Sequence, residues 1–249
     1  MHPHQLKLLI NNKGKGFFKS EANQTGEATI YLYDVIVNDD WLGGITPLTF
    51  AKELVAITDP IIHLRLNSPG GDVFAARAMQ TAMNEHASKI IVHIDGIAAS
   101  AATFLVNQAD ESIISKGGML MIHNAWSIAM GNAKDFTDMA NLLNKIDDSI
   151  VTDYVAKTGK SKQQIIDWMS NETYFSDQES VDFGFVDKIA ESSPKNKIDW
   201  DLSAYKKLPL NSEIDEKTEK LEKNSDPVDD PIIENHTKNR PKYREMMTA

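Results

Sequence analysis

Stretches of apolar residues typical of β-strands alternate along the chain with amphipathic stretches typical of helices. The predicted strands cover residues 28–37, 61–66, 90–94, 112–115, 119–122 and 186–189. The predicted helices cover residues 46–57, 73–86, 101–109, 133–158 and 162–169. Repeated alternation of strand and helix with short connections predicts a layered α/β domain rather than a β-sandwich or a helix bundle.

The composition changes on both sides of this alternating region. Residues 1–26 start with a short apolar run and then become polar, so we expect an N-terminal arm or an edge strand. The α/β domain is expected to span residues 27–191. Residues 192–249 form a polar C-terminal extension that keeps a few apolar residues up to Tyr205. Such a segment buries too little apolar surface to offset its ordering entropy, and we expect it to be largely flexible.

Charge and cysteine content narrow the range of functions. The chain of 249 residues has no cysteine, which excludes disulfides, thiolate zinc sites and cysteine nucleophiles. Its formal net charge of −10 disfavours nucleic acid or an anionic membrane as a partner, because both repel an acidic surface. Neither a signal peptide nor a membrane-spanning stretch is recognisable, and we expect a soluble protein that is not secreted.

Small residues surround one hydroxyl group where the third predicted strand passes into a helix. Ser100 stands in the sequence Gly-Ile-Ala-Ala-Ser-Ala-Ala. A helix start offers free backbone N–H groups and a positive dipole end, which stabilise an oxyanion and a deprotonating serine. The alternative is that Ser100 only caps the helix, as serine often does.

Two further features suggest a catalytic arrangement. The turn Ser68-Pro69-Gly70-Gly71 also ends a strand and opens a helix, so it can offer a second N–H to the same oxyanion, or it is simply a tight turn. His123 ends the apolar strand 119–122, and catalytic groups of α/β proteins lie at strand ends. By contrast, His63 and His93 lie inside predicted strands, and we expect them to have structural roles.

Four ordered motifs between residues 61 and 189 resemble those of the Clp protease proteolytic subunit, and most closely its relatives among phage head-maturation proteases. The motifs are Asn67-Ser68-Pro69-Gly70-Gly71, Gly96-Ile97-Ala98-Ala99-Ser100-Ala101, Met121-Ile122-His123-Asn124, and Tyr174-Phe175-Ser176 through Gly184-Phe185-Val186-Asp187. The resemblance implies an α/β fold of the ClpP/crotonase type, a β-β-α superhelix with a protruding handle helix.

The resemblance also implies a serine endopeptidase without a metal or organic cofactor. Ser100 would be the nucleophile and His123 the general base, which agrees with their positions at the ends of predicted elements. The N–H groups of Gly71 and Ala101 would bind the oxyanion.

An acidic third catalytic residue is expected shortly before the Tyr-Phe-Ser segment. The residue at that position is Glu172, where the housekeeping enzymes have aspartate. Glutamate can orient an imidazole in the same way, although its extra methylene changes the reach. Asp167, Asp177 and Glu179 are rival candidates, and a solvated acidic loop without catalytic function is a further alternative.

Substrate binding is expected around the same residues. Residues 125–132 would form an extended edge to which a peptide adds as a strand, with Gly70, Asn124, Ala125 and Trp126 in contact with the substrate. The resemblance further implies ring-shaped homo-oligomers with contacts through the apolar face of the long helix. Packing of that face on the chain's own sheet is equally compatible with its pattern.

The long C-terminal extension is typical of the phage subgroup. We therefore expect an ATP-independent head-maturation protease that cleaves capsid and scaffold proteins in the host cytoplasm and the immature capsid. The alternatives are a crotonase-type acyl-CoA hydratase or isomerase, a membrane-associated signal-peptide peptidase that uses serine and lysine, and a noncatalytic assembly protein with the same fold.

Overall fold

The computed structural model describes residues 3–22, 26–41, 43–191 and 198–207. Its strands are β1 Phe17–Ala22, β2 Glu27–Tyr33, β3 Ile61–Ser68, β4 Lys89–Ala99, β5 Glu111–Ile114, β6 Met119–Ile122, β7 Thr173–Phe175 and β8 Lys188–Ile189. Its helices are α1 Pro3–Asn12, α2 Pro47–Ala56, α3 Val73–Glu85, α4 Thr103–Gln108, α5 Ala133–Thr158, α6 Lys162–Ser170 and α7 Asp177–Asp182. A 3₁₀ turn, Ser100–Ala102, precedes α4.

All these strands belong to one sheet, in which β1, β2, β3, β4, β5 and β8 lie side by side in that order. The strands from β2 to β8 along this path are parallel, and β1 is added antiparallel at the edge. Helices connect the parallel strands, as parallel pairing requires. The predicted α/β class is confirmed.

β4 is longer than its neighbours and pairs with two different strands. Its first part, up to Ile94, pairs with β5, whereas Ile97–Ala99 pairs with β6. The pairing of β3 with β4 shifts register between Leu66 and Ser68. β6 pairs on its other side with the antiparallel β7. The end of β4 therefore lies between the end of β3 and a small β6–β7 unit.

The two faces of the sheet differ in polarity. Ile62, Leu64 and Leu66 of β3 are buried in the main core, which also contains apolar residues of α2, α3 and α4. His63 and Arg65, which alternate with them, are partly exposed on the opposite face. This alternation is the period of two that a strand imposes on its side chains.

The polar face of the sheet carries two hydrogen-bonded clusters. Arg65 donates two hydrogen bonds to the buried carboxylate of Asp95, which also accepts one from the Tyr33 hydroxyl. The Nδ1 atom of His63 lies 2.9 Å from Nε2 of His93, and its Nε2 lies 3.2 Å from Glu27. Burial lowers the pKa of His93 to about 4, with the charge of Arg65 acting in the same direction.

Helix α5 follows the predicted bounds and begins with a capping box between Asn132 and Asp135. Its buried residues are Ile150, Val151 and Tyr154, all in its C-terminal half. Phe136 and Leu142 in the first half are 53% and 46% exposed. Among the described helices, none is both long enough and apolar enough to cross a membrane.

Several elements differ from the sequence-based expectation. For residues 1–26 the sequence predicts an arm or an edge strand. In the structure residues 17–22 form the edge strand β1, and residues 3–12 form helix α1, which is not predicted. β7 and α7 are too short to give a clear periodic pattern, so the pattern does not predict them. Residues 198–207 pack on the domain, whereas the other residues of the predicted flexible extension, 192–197 and 208–249, lie outside the described residues.

Helix α5 is tied to the turn that carries Ser100. The Thr103 hydroxyl donates to the Ser100 carbonyl at 2.6 Å and lies 2.5 Å from the hydroxyl of Tyr154. Thr103 and Tyr154 are both buried, and among the described residues the Thr103 hydroxyl is the hydrogen-bond partner of the Tyr154 hydroxyl.

We therefore expect Tyr154→Phe to lower the free energy of unfolding by about 1 kcal/mol, because one buried hydrogen bond is lost. Urea denaturation at neutral pH measures this change. Tyr31→Phe, at a partly exposed position of β2, is the matched control and should change stability by less than about 0.5 kcal/mol. Equal losses in the two variants would contradict the role given to Tyr154.

Candidate active site

Strand register brings three separate segments of the chain to one place. Ala99 of β4 pairs with Met121 of β6, so the residues that follow these parallel strands leave the sheet side by side. Ile122 of β6 pairs with Thr173 of the antiparallel β7, so the residue before β7 arrives at the same edge. The residues that occupy these positions are Ser100, His123 and Glu172.

Ser100 and His123 are in direct contact. The Oγ atom of Ser100 lies 2.7 Å from Nε2 of His123, which is a hydrogen-bonding distance. Ser100 has φ of 54°, in the left-handed region that residues with a Cβ seldom adopt. Such strain persists only where the surrounding structure imposes it, and it occurs often at functional sites.

Glu172 lies on the other side of the imidazole. Its Oε2 atom is 3.8 Å from Nδ1 of His123, which is longer than a hydrogen bond but close enough to attract the imidazole when the ring is protonated. Glu172 is only 7% exposed and has φ of 48°, so its backbone is as unusual as that of Ser100. Its Oε1 atom accepts a 2.6 Å hydrogen bond from the backbone N–H of Lys207.

The three rival carboxylates have other partners. Asp177 accepts from the backbone N–H of Gly117, Glu179 caps the start of α7, and Asp167 accepts from Gln163. Among the described residues, Glu172 is the carboxylate that lies within 4 Å of a ring nitrogen of His123.

The environment of His123 favours the neutral imidazole. Burial lowers the pKa of His123 to about 4, and the positive charge of Lys206 acts in the same direction. At neutral pH the ring is therefore uncharged and able to accept a proton. Its orientation, with Nε2 toward Ser100 and Nδ1 toward Glu172, is the one that a general base needs.

The glycine turn approaches Ser100 closely. Gly70 has φ of 89°, and a Cβ atom there would lie only 2.9 Å from Cβ of Ser100. Gly71 has φ of 146°, and a Cβ atom there would lie 1.9 Å from the carbonyl oxygen of Ile36. Both positions therefore need glycine for conformation and for space.

Backbone hydrogen bonds fix this turn beside the serine. Ile36 donates to the carbonyl of Gly70 at 2.8 Å and accepts from the N–H of Asp72 at 2.9 Å. The N–H of Gly71 lies between these bonded groups and has no acceptor among the described residues, and the same is true of the N–H of Ala101 at the start of the 3₁₀ turn. Two free N–H groups therefore flank Ser100.

The segment after His123 is held by a residue that the sequence does not reveal. Asp147 of α5 accepts hydrogen bonds from the Asn124 side chain at 2.8 Å and from the Ala125 N–H at 2.7 Å. Burial raises the pKa of Asp147. An acidic residue in a long amphipathic helix carries no local signal of this role, because its partners are distant in the chain.

Two cavities meet at His123. One, of about 300 Å³, contains Ser100 and Gly71 and is bordered by apolar side chains of α3, α5 and the segment after His123. These apolar residues are Val73, Phe74, Ala125, Trp126, Ile128, Met139, Leu142, Leu143 and Ile146. The other, of about 470 Å³, contains Glu172 and is bordered by Asn124, Trp126 and Lys206. The predicted substrate residues therefore line the cavities, except Gly70, which lies next to Ser100.

The residues 198–207 also reach this site, which the composition of the C-terminal region does not predict. Tyr205 is buried, and its ring packs edge-on against His123 with 5.3 Å between the ring centroids. The aromatic and apolar residues that interrupt the polar extension are the sequence signal that could have indicated a packed segment.

Comparison with known proteins gives a consistent result. The family model described as Clp protease matches residues 26–193. An ATP-dependent Clp protease proteolytic subunit 1 of Prochlorococcus marinus subsp. pastoris is 27% identical over 197 residues, which are 78% of this chain and all of the relative. An ATP-dependent Clp protease proteolytic subunit of Dehalococcoides mccartyi is 29% identical over 141 residues, 56% of this chain and 70% of the relative. A subunit 2 from Tropheryma whipplei is 27% identical over 159 residues, 60% of this chain and 88% of the relative.

The electrostatic contribution of Lys206 leads to a prediction about His123. We expect NMR titration to give His123 a pKa near 4, and Lys206→Gln to raise that value because a positive charge no longer opposes protonation. Lys89→Gln removes the same charge at the opposite end of β4 and should leave the pKa of His123 unchanged. A wild-type pKa near 6.5, the ordinary value for histidine, would contradict the burial of the ring in solution.

Proposed function

The chain belongs to the Clp protease family, and we propose that it is a serine endopeptidase with Ser100 as nucleophile and His123 as general base. The observation that carries this proposal is the 2.7 Å distance between Ser100 Oγ and His123 Nε2. Family membership favours a peptidase over the crotonase-type alternative, because the matched proteins are proteolytic subunits.

The chemistry follows from the arrangement of these groups. Ser100 attacks a peptide carbonyl while His123 takes the hydroxyl proton and then delivers it to the leaving amine. Water hydrolyses the acyl-enzyme in a second step that regenerates Ser100. In this proposal the N–H groups of Gly71 and Ala101 bind the developing oxyanion, and each such donor contributes about 3 to 4 kcal/mol to transition-state stabilisation.

Glu172 has the role of the third catalytic residue in this proposal. Its negative charge stabilises the imidazolium that forms when His123 accepts the serine proton. The 3.8 Å separation from Nδ1 must shorten by about 1 Å for a hydrogen bond to form. Catalytic hydrogen bonds are often longer in the unliganded protein than in the complex with substrate.

The peptide substrate would lie along the segment after His123. Residues 125–130 have no strand partner among the described residues, so their backbone can pair with an added strand. The apolar lining of the 300 Å³ cavity beside Ser100 favours an apolar side chain next to the cleaved bond.

Self-assembly into rings is also part of the proposal. Phe136 and Leu142 on α5 are large apolar side chains that the single chain leaves exposed. Exposed apolar groups on one helix face are typical of surfaces that pack against another protein. This supports contacts between copies of the chain through α5.

We further propose that the protein is a phage head-maturation protease that cleaves capsid and scaffold proteins in the host cytoplasm and the immature capsid, without an ATPase partner. The support for this more specific function is the sequence resemblance to that subgroup and the long C-terminal extension after residue 191. The matched bacterial relatives are named as ATP-dependent proteases.

The decisive experiment compares the wild-type protein with Ser100→Ala, each incubated without ATP with candidate capsid and scaffold proteins. We expect cleavage by the wild type and a loss of at least about 10³-fold in the variant. Labelling with a fluorophosphonate, which reacts only with an activated serine, should follow the same pattern. An unlabelled wild type would contradict the serine mechanism, whereas labelling without cleavage of these proteins would contradict the proposed substrates.

The acidic residue is tested separately with the isosteric variant Glu172→Gln. We expect kcat on a peptide substrate to fall by about 10²-fold or more, because the imidazolium loses its negative neighbour. Asp167→Asn makes the same change at a rival carboxylate and should retain nearly full activity. If Asp167→Asn loses activity and Glu172→Gln does not, the assignment is wrong.

A further inference from the structure

The residues 198–207, which we call the C-terminal segment, are firmly docked on the domain. Trp200, Ala204 and Tyr205 are buried in a second apolar cluster on the face of the sheet opposite the main core. This cluster also contains Leu8 and Leu9 of α1, Val35, Val37, Ile97, Ala99 and Met121. Ala99, the last residue of β4 before Ser100, and Met121 of β6, two residues before His123, are therefore covered by the C-terminal segment.

Polar contacts fix the C-terminal segment to α1 as well. Asn12 donates to the carbonyl oxygen of Asp201 and accepts from the N–H of the same residue, at 2.9 and 2.7 Å. Asn11 donates to the Asp201 carboxylate at 2.9 Å. The family match covers residues 26–193, so α1 and the C-terminal segment both lie outside it.

Tyr205 contacts both halves of the catalytic arrangement. Its hydroxyl donates a hydrogen bond to the carbonyl oxygen of Pro69, in the glycine turn beside Ser100. Its ring meets the imidazole of His123 at an angle of 87°, an edge-to-face arrangement that restricts the orientation of both rings. One side chain therefore connects the turn that offers the Gly71 N–H to the general base.

The end of the C-terminal segment supports the third catalytic residue. The Lys207 N–H donates to Glu172, and the Lys207 carbonyl accepts from the Tyr174 hydroxyl at 3.0 Å. The Lys207 ammonium donates to the carbonyl of Asn171. Asn171 and Tyr174 lie on either side of Glu172 in the sequence. The contacts of Lys207 with all three residues therefore oppose rotation of the Glu172 carboxylate away from His123.

We infer that Tyr205 is a positioning residue of the active site, and that the C-terminal segment completes the catalytic arrangement by fixing the glycine turn, His123 and Glu172 relative to one another. This inference rests on the proposed serine peptidase function. A segment with a purely structural role would bury the apolar cluster without contacting all three parts of the site. Here Tyr205 and Lys207 reach each of them.

The first test removes only the Tyr205 hydroxyl. We expect Tyr205→Phe to lower kcat about fivefold to tenfold, which is the effect of one lost hydrogen bond on the transition state, with KM changed less than about twofold. Tyr33→Phe is the matched control, because Tyr33 is also buried and its hydroxyl also donates to one acceptor, Asp95. The kcat of this control should equal that of the wild type. Unchanged kcat in Tyr205→Phe would overturn the positioning role of the hydroxyl.

The second test removes the ring and needs no activity. In Tyr205→Leu the imidazole gains access to water, so we expect the pKa of His123, measured by NMR, to rise from about 4 toward its ordinary value of 6.5. Glu172 and Lys206 remain as the charged groups facing His123. Tyr205→Phe should leave this pKa unchanged because the ring stays in place. A His123 pKa that does not move in a folded Tyr205→Leu protein would contradict the ring contact.

The two proposals fail in different ways. If fluorophosphonate does not label Ser100 in the wild type, the peptidase function is wrong, while the NMR result still decides whether Tyr205 contacts His123. If the wild type is labelled and Tyr205→Phe reacts at the same rate, only the inference about Tyr205 is wrong. If Tyr205→Leu does not fold, Tyr205→Phe alone decides the question.

Discussion

The pairing register of β4, β6 and β7 is the constraint on which the site depends. Ala99 faces Met121, and Ile122 faces Thr173, so that three chain segments distant in sequence end at one edge of the sheet. Backbone hydrogen bonds define these pairings, and the pairings determine where the side chains of Ser100, His123 and Glu172 lie. The separation of the hydroxyl and the imidazole is therefore set by the geometry of the sheet and not by the side chains alone.

The backbone conformation of the site residues at this edge lowers the stability of the fold. Ser100 and Glu172 both adopt the left-handed conformation, which costs on the order of 1 kcal/mol or more for each residue with a Cβ. The surrounding hydrogen bonds offset this cost, because Thr103 holds the Ser100 carbonyl and Lys207 holds the Glu172 carboxylate. The supports come from α4, α5 and the C-terminal segment, so several elements combine to maintain one strained site.

The sequence predicted the parts of the site that have local signals. Ser100 stands among small residues at a strand end, and His123 follows a short apolar strand, so both could be located without a structure. The helices with clear periodicity, including α5, were predicted with nearly correct bounds. Family resemblance added Glu172 but left rival carboxylates, because an acidic loop has no periodic pattern to distinguish one carboxylate from another.

The remaining features depend on contacts between residues far apart in the chain. Asp147 and Tyr205 lie in segments whose local pattern indicates only an amphipathic helix and a polar extension. The left-handed backbone of Ser100 likewise has no signature in the residue type. Tertiary packing determines these features, and a single sequence shows packing partners only where they are close along the chain.

The double pairing of β4 has a consequence for how this chain can change in evolution. Residues 91–94 and 97–99 are bound to different neighbours, so the stretch that joins them has a fixed length. Inserting or deleting one residue there would turn Ser100 to the opposite face of the sheet, since strand side chains alternate. Substitutions in this stretch can be accommodated one at a time, whereas a change of length would abolish the site in a single step.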